Sequence, residues 1–207
     1  MKIAIIANDS LKTDLLGLKP VMSAEIYWLT ELTPLEGAAC YIDLLFTMTT
    51  ERVDLLKKLQ PATIIVNAVD TTLQHLPEHF IRINGWPGFL KGTIVEASGK
   101  NAEAKLNAEK FFADLNKKIE WVPDIAGFIS ARILSMIINE AWFTLDEKVS
   151  SKAEIDTAMK LGTNYPYGPF EWGEKIGLKN IYLLLAELAK TSSRYEPAAL
   201  LKKEALQ

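Results

Sequence analysis

Three acidic residues stand at or just beyond the ends of short apolar runs, where a carboxylate is placed to give or take a proton. Glu96 closes Thr93-Ile94-Val95-Glu96, Asp43 follows Tyr41-Ile42, and Asp70 lies just past the run Thr63–Ala68. A strand-end carboxylate in a cleft is a common catalytic placement, so each is a candidate acid/base group. Other reactive groups are few. His75 and His79 are the two histidines, and they read as surface or strand-end residues. Cys40 is the single cysteine, so no internal disulfide can form, and no Cys/His cluster offers a closed zinc site. No metal is expected.

The elements that must position these groups follow from the pattern of apolar residues. Lys2–Ala7, Glu25–Thr30, Cys40–Phe46, Thr63–Ala68, Phe80–Asn84, Thr93–Ala97 and Ile119–Val122 are brief, rich in Ile, Val and Tyr, and often bounded by Gly or Pro, which predicts strands. Several are apolar almost throughout, as strands buried on both faces of a parallel sheet are. Thr50–Leu59 and Asn101–Asn116 carry helical spacing, the second with Ala104, Leu106, Ala108, Phe111, Phe112 and Leu115 along one side. After Pro123 the pattern becomes helical. It places Phe128, Ile129, Arg132, Ile133, Met136, Ile137 and Ala141 at helical spacing, then a capping box from Ser151 to Glu154, then a Gly/Pro-rich turn before two further helical stretches. The expected fold is α/β: a Rossmann-like, mostly parallel sheet domain over residues 1–123, followed by an all-α domain over 124–207.

Composition narrows the function classes. The 207 residues hold 23 Lys+Arg against 26 Asp+Glu, a formal net charge of −3, and 49% are hydrophobic. A mildly acidic chain with no basic face argues against a nucleic-acid partner. The opening apolar run ends at Asp9, too early for a secretory segment, and no stretch approaches the ~20 apolar residues of a membrane span. A cytoplasmic protein is expected.

Gly127-Phe128-Ile129-Ser130-Ala131-Arg132-Ile133-Leu134, Asn139-Glu140-Ala141, Glu154 to Gly162 and above all Tyr165-Pro166-Tyr167-Gly168-Pro169-Phe170-Glu171 resemble the C-terminal domain of the 3-hydroxyacyl-CoA dehydrogenases. Lys2–Ile6, Thr71-Thr72-Leu73-Gln74 and the strands near Asn84 and Glu96 resemble parts of that family's nucleotide-binding half, shortened between the second strand and Tyr41. The resemblance implies a homodimer through the helical domain, an acyl-CoA-like ligand, and NAD as cofactor if the family's function is retained.

Carried over residue by residue, the resemblance also implies losses. A dinucleotide turn needs Gly-x-Gly-x-x-Gly after the first strand, and the matching positions hold Ala7, Asp9 and Lys12. Asp9 or Ser10 is expected to cap the helix there, and Glu31 remains as an acid that could reach a ribose. Glu96 matches the family's orienting carboxylate; the catalytic His position, twelve residues earlier, is Asn84, which cannot take a proton near neutral pH. Ala131 stands at the family's substrate-contacting Asn, while Thr71 stands where the resemblance implies a substrate-binding hydroxyl. The expectation is a divergent or non-catalytic relative without bound NAD, binding an acyl-CoA-like ligand or a partner. The alternatives are an active NAD-dependent 3-hydroxyacyl-CoA dehydrogenase of fatty-acid metabolism and a different acid/base enzyme using Glu96, Asp70 or Asp43.

Overall fold

The apolar runs of the first half become seven strands of one sheet in the computed structural model, which describes residues 1–16 and 24–207. They are β1 (Lys2–Ile6), β2 (Glu25–Leu29), β3 (Ala38–Asp43), β4 (Thr63–Asn67), β5 (Phe80–Ile83), β6 (Ile94–Gly99) and β7 (Lys118–Trp121). The sheet order is β2-β1-β3-β4-β5-β6-β7, parallel throughout except for the antiparallel pair β5/β6. Continuous apolar strands serve this sheet because both faces are covered. Ile3, Ile5, Ile42, Ile65, Ile81 and Ile83 form a core on one side with Phe111 and Phe112; Ala4, Ile6, Tyr41, Ile64, Val66 and Phe80 form one on the other with Val53 and Leu56.

Among the described residues, three α-helices accompany the sheet: α1 (Asp9–Leu15), α2 (Thr50–Lys57) and α3 (Ala102–Asp114). In α3, Ala104, Ala108, Phe111 and Phe112 are buried, but Leu106 is 57% exposed, contrary to the expected stripe. Position 106 stands about 200° around the helix from 104, so it faces away from the sheet.

The connection between β2 and β3 is brief. Only residues 30–37 join these strands, which flank β1 on opposite sides. Eight extended residues reach about 26 Å, enough to run back along a strand without a helix. Leu32 and Leu35 pack on the second core, and the Leu35 N–H donates to Tyr41 Oη at 2.6 Å.

The chain divides into two compact units, Met1–Phe128 and Ile129–Gln207. The second contains α4 (Ser130–Asp146), α5 (Lys152–Thr163), α6 (Pro169–Ile176), α7 (Leu178–Ala189) and α8 (Ala199–Ala205), the last not anticipated from the sequence. On α4 the buried face is Ala131, Leu134, Ser135, Ile138, Asn139, Ala141 and Trp142, while Ile129 and Ile133 are more than half exposed. The capping box of α5 forms as expected, with Glu154 Oε2 accepting from the Ser151 N–H at 3.1 Å. At α6, Gly168 is the N-cap and Pro169 the first helical residue, and buried Asp156 accepts from the N–H groups of Phe170 and Glu171. A Cβ at Gly168 would overlap the Asp156 carboxylate, which explains the glycine.

Candidate functional site

In an open sheet of this kind, a ligand site lies beyond the carboxyl ends of the strands where the order reverses, here between β1 and β3. The turn leaving β1 decides what can sit there. The Ala7 N–H donates to Leu29 O at 3.0 Å, and Asn8, extended at φ −86° and ψ 172°, caps α1 by accepting from the Leu11 N–H at 2.9 Å. The cap is therefore Asn8, one residue before the expected Asp9 or Ser10. Asp9 becomes the first residue of the helix, exposed, with its carboxylate in the first turn.

At this turn one of the helix's free amides is already bonded to Asn8, and Ala7, Asp9 and Lys12, the positions matched to the dinucleotide glycines, all carry side chains. The Lys12 ammonium lies over the Trp28 ring, 5.1 Å from its centroid. Glu31 is exposed, two residues past the end of β2. Further along α1, buried Asp14 accepts from the Gly88 N–H at 2.5 Å and lies 3.6 Å from Lys91 Nζ, tying the helix to the loop after β5.

The antiparallel ladder of β5 and β6 builds the second part of the site. Ile81 faces Gly99, Arg82 faces Ser98 and Ile83 faces Ala97, so the next rung sets Asn84 against Glu96. The Asn84 N–H donates to Glu96 O at 3.0 Å, and Asn84 Nδ2 donates to Glu96 Oε2 at 3.2 Å. The spacing of twelve residues is thus one rung of a hairpin-like ladder. Asn84 is 2% exposed and Glu96 half-buried. A carboxamide at this place can donate to or accept from a ligand's carbonyl or hydroxyl, but it cannot take up a proton in neutral water. Asn67, at the end of β4, accepts from the Gly85 N–H at 2.9 Å and donates to Leu44 O at 3.2 Å, joining the ends of β3, β4 and β5.

Other candidates are placed differently. The Thr71 hydroxyl lies 3.4 Å from Asp70 Oδ1, and both residues are half-buried. Asp43 is fully buried and holds Arg52 through two contacts of 2.7 and 2.8 Å. Burial pushes its carboxyl pKa up, while Arg52 pulls it down. His79 precedes β5 at the end opposite Asn84, about 17 Å of strand away, with a ring nitrogen 2.7 Å from Gln60 Nε2. Its pKa is lowered, first by partial burial and then by Lys57. Burial also pushes the Cys40 thiol far above its usual range, leaving it an inert core residue. Ala131 is fully buried on α4, in the second unit. Among the described residues, no three His, Cys, Asp or Glu side chains gather to hold a metal, and no helix is long and apolar enough to cross a membrane.

One charged cluster was not foreseen. Arg82 lies at the centre of apolar β5, fully buried, and donates to Ala68 O at 3.0 Å, Val69 O at 3.3 Å, Ile125 O at 3.3 Å and Asp124 Oδ1 at 2.7 Å. Its guanidinium carbon is 4.1 Å from the Phe128 ring centroid. Asp124 also accepts from the Leu73 N–H at 2.9 Å, so the cluster pins the segment carrying Asp70 and Thr71. The signal in the sequence was an arginine inside an otherwise apolar strand, which has to be paired to be buried.

Residues 127–206 match the model of the 3-hydroxyacyl-CoA dehydrogenase C-terminal domain. A 3-hydroxyadipyl-CoA dehydrogenase of Escherichia coli K12 is 39% identical over 116 residues, covering 55% of this chain and 24% of the relative. A probable 3-hydroxybutyryl-CoA dehydrogenase of Bacillus subtilis is 30% identical over 145 residues, covering 69% of this chain and 50% of the relative. The chain thus spans between a quarter and a half of these relatives' length. The crystal structure of (S)-3-hydroxybutyryl-CoA dehydrogenase from Ralstonia eutropha superimposes with a TM-score of 0.74 at 20% identity, covering 98% of this chain and 92% of that one, which shows a shared fold. Residues 127–206 are thus similar in sequence to the C-terminal domain of the 3-hydroxyacyl-CoA dehydrogenases, and the whole chain shares their fold.

Proposed function

We propose that this protein keeps the family's scaffold without its hydride-transfer chemistry and acts as a homodimeric binding protein for an acyl-CoA-like ligand. The observation that carries the reading is the Asn84–Glu96 pair. The carboxylate that would orient a base is present, but its partner is an amide, bonded to it at 3.2 Å. The β1–α1 turn supports the same reading, because Asn8 and Asp9 suit a capped helix better than a pyrophosphate. Relatives at 30–40% identity are named for 3-hydroxyadipyl- and 3-hydroxybutyryl-CoA, which makes an acyl-CoA thioester the ligand class to test. Asn84 and Glu96 would then hydrogen-bond the ligand's carbonyl or hydroxyl without moving a proton between them.

Calorimetric titration tests both halves of this reading. Acetoacetyl-CoA is expected to give a saturable binding heat, whereas NADH gives none at micromolar concentration. Micromolar NADH binding, or oxidation of NADH in the presence of acetoacetyl-CoA by the wild-type chain, would overturn the proposal. The dimer is supported by the apolar surface of the helical unit. Ile129, Ile133, Val149 and Leu161 are exposed, and Ile137, Ala141, Val149, Ile155 and Met159 line a cavity of about 450 Å3. Light scattering is expected to give twice the 23.1 kDa chain mass; a monomer at micromolar concentration refutes the assembly.

A further inference from the structure

We propose that Asn84-Gly85 is a deamidation site held shut by Asn67. An asparagine followed by glycine is chemically labile, because the second residue has no side chain to hinder attack by its backbone nitrogen. In the reaction the Gly85 nitrogen loses its proton and bonds to Asn84 Cγ, and the Cγ–Nδ2 bond breaks to release ammonia. Water then opens the cyclic imide to aspartate or isoaspartate. One water is consumed and one ammonia leaves, with no change of oxidation state.

Three features of the fold oppose this step. The Gly85 N–H is bonded to Asn67 Oδ1 at 2.9 Å, so the nitrogen that must attack is engaged through the proton it has to lose. Asn84 is 2% exposed, and its side-chain nitrogen reaches across the strand pair to Glu96 instead of folding back on its own backbone. Asn67 is itself held, because its Nδ2 donates to Leu44 O at 3.2 Å. The labile dipeptide is also constrained by space. A Cβ at position 85 would lie 2.9 Å from Asn67 Cγ, so a side chain that slowed the chemistry would displace the guard.

Opening the site would change its chemistry. Aspartate at 84 sets a second carboxylate within hydrogen-bond reach of Glu96, so a neutral amide is exchanged for a second acidic group beside the first.

The test compares wild type, Asn67→Ala and Asn67→Asp in mildly alkaline buffer at physiological temperature, with the one-dalton mass gain mapped to the peptide containing residue 84. Folded wild type is expected to deamidate far more slowly than the urea-unfolded chain. Asn67→Ala should react about tenfold faster than folded wild type, the rise in open population that loss of one hydrogen bond allows. Asn67→Asp keeps an acceptor for the Gly85 N–H and should stay near the wild-type rate. Equal rates for folded and unfolded wild type, or no gain in Asn67→Ala, would overturn the proposal. Should Asn67→Ala not fold, hydrogen exchange of the Gly85 amide in wild type decides: strong protection is expected, and exchange at an open-loop rate refutes the guard.

Discussion

Replacing Arg82 by methionine keeps an unbranched apolar stem in β5 but removes every donor of the guanidinium. Asp124 loses a 2.7 Å partner and keeps the Leu73 N–H, while the carbonyls of Ala68, Val69 and Ile125 lose the contacts Arg82 makes to them. Breaking one side of a buried ion pair costs about 3–5 kcal/mol. The Asp124 side chain is 25% exposed, and water there can replace part of what is lost, which moves the expectation to the lower end. Loss of the stacking on Phe128 adds about 0.5–1 kcal/mol. The expected destabilisation is therefore about 3–4 kcal/mol, read in urea as a lower midpoint at unchanged slope. Asp124→Asn breaks the pair from the other side. It retains an oxygen for both the Leu73 N–H and Arg82 but leaves the fully buried Arg82 charge without its counter-ion, so about 3 kcal/mol is expected here too. If either Arg82→Met or Asp124→Asn lies within about 1 kcal/mol of wild type, the cluster is not a clamp.

Two further substitutions test the helical unit. Asp156→Ala removes the carboxylate that accepts from the Phe170 and Glu171 N–H groups at 2.8 and 3.3 Å, and should cost about 1–2 kcal/mol; a thermal melt identical to wild type would contradict this role. At α5, the Ser151 backbone and the Ser151 and Ser150 hydroxyls hold the Glu154 carboxyl down to a pKa of about 2. A folded pKa below the unfolded one gives stability that is present above about pH 4.5 and lost as pH falls through about 2. The melting difference between wild type and Glu154→Gln should therefore be constant above pH 5 and shrink towards zero near pH 2; a difference that grows on acidification would reverse the assignment.

Much of the architecture could be read locally. All seven strand runs and the Ser151–Glu154 capping box form where the apolar periodicity and the cap residues place them, because these signals act over a few residues. The pairing of Asn84 with Glu96 was legible only as a spacing of twelve; the antiparallel register of β5 and β6 turns that spacing into a 3.2 Å hydrogen bond. Local reading failed where two choices were equally periodic or one residue apart. Leu106 and Ile133 obey helical spacing yet face outward, since burial depends on which side another element covers. Asn8 displaced Asp9 as the cap because the chain stays extended through residue 8.

The sequence by itself therefore determined the order and kind of the elements and the likeness of residues 127–206 to the 3-hydroxyacyl-CoA dehydrogenase C-terminal domain. Only the tertiary structure decided how the buried polar groups are satisfied. Arg82 meets Asp124 across 42 residues, Asp14 meets Gly88 across 74, and Gly85 meets Asn67 across 18. A polar group taken out of water must find a partner wherever the fold brings one near, and that choice is made in space after the strands are in register.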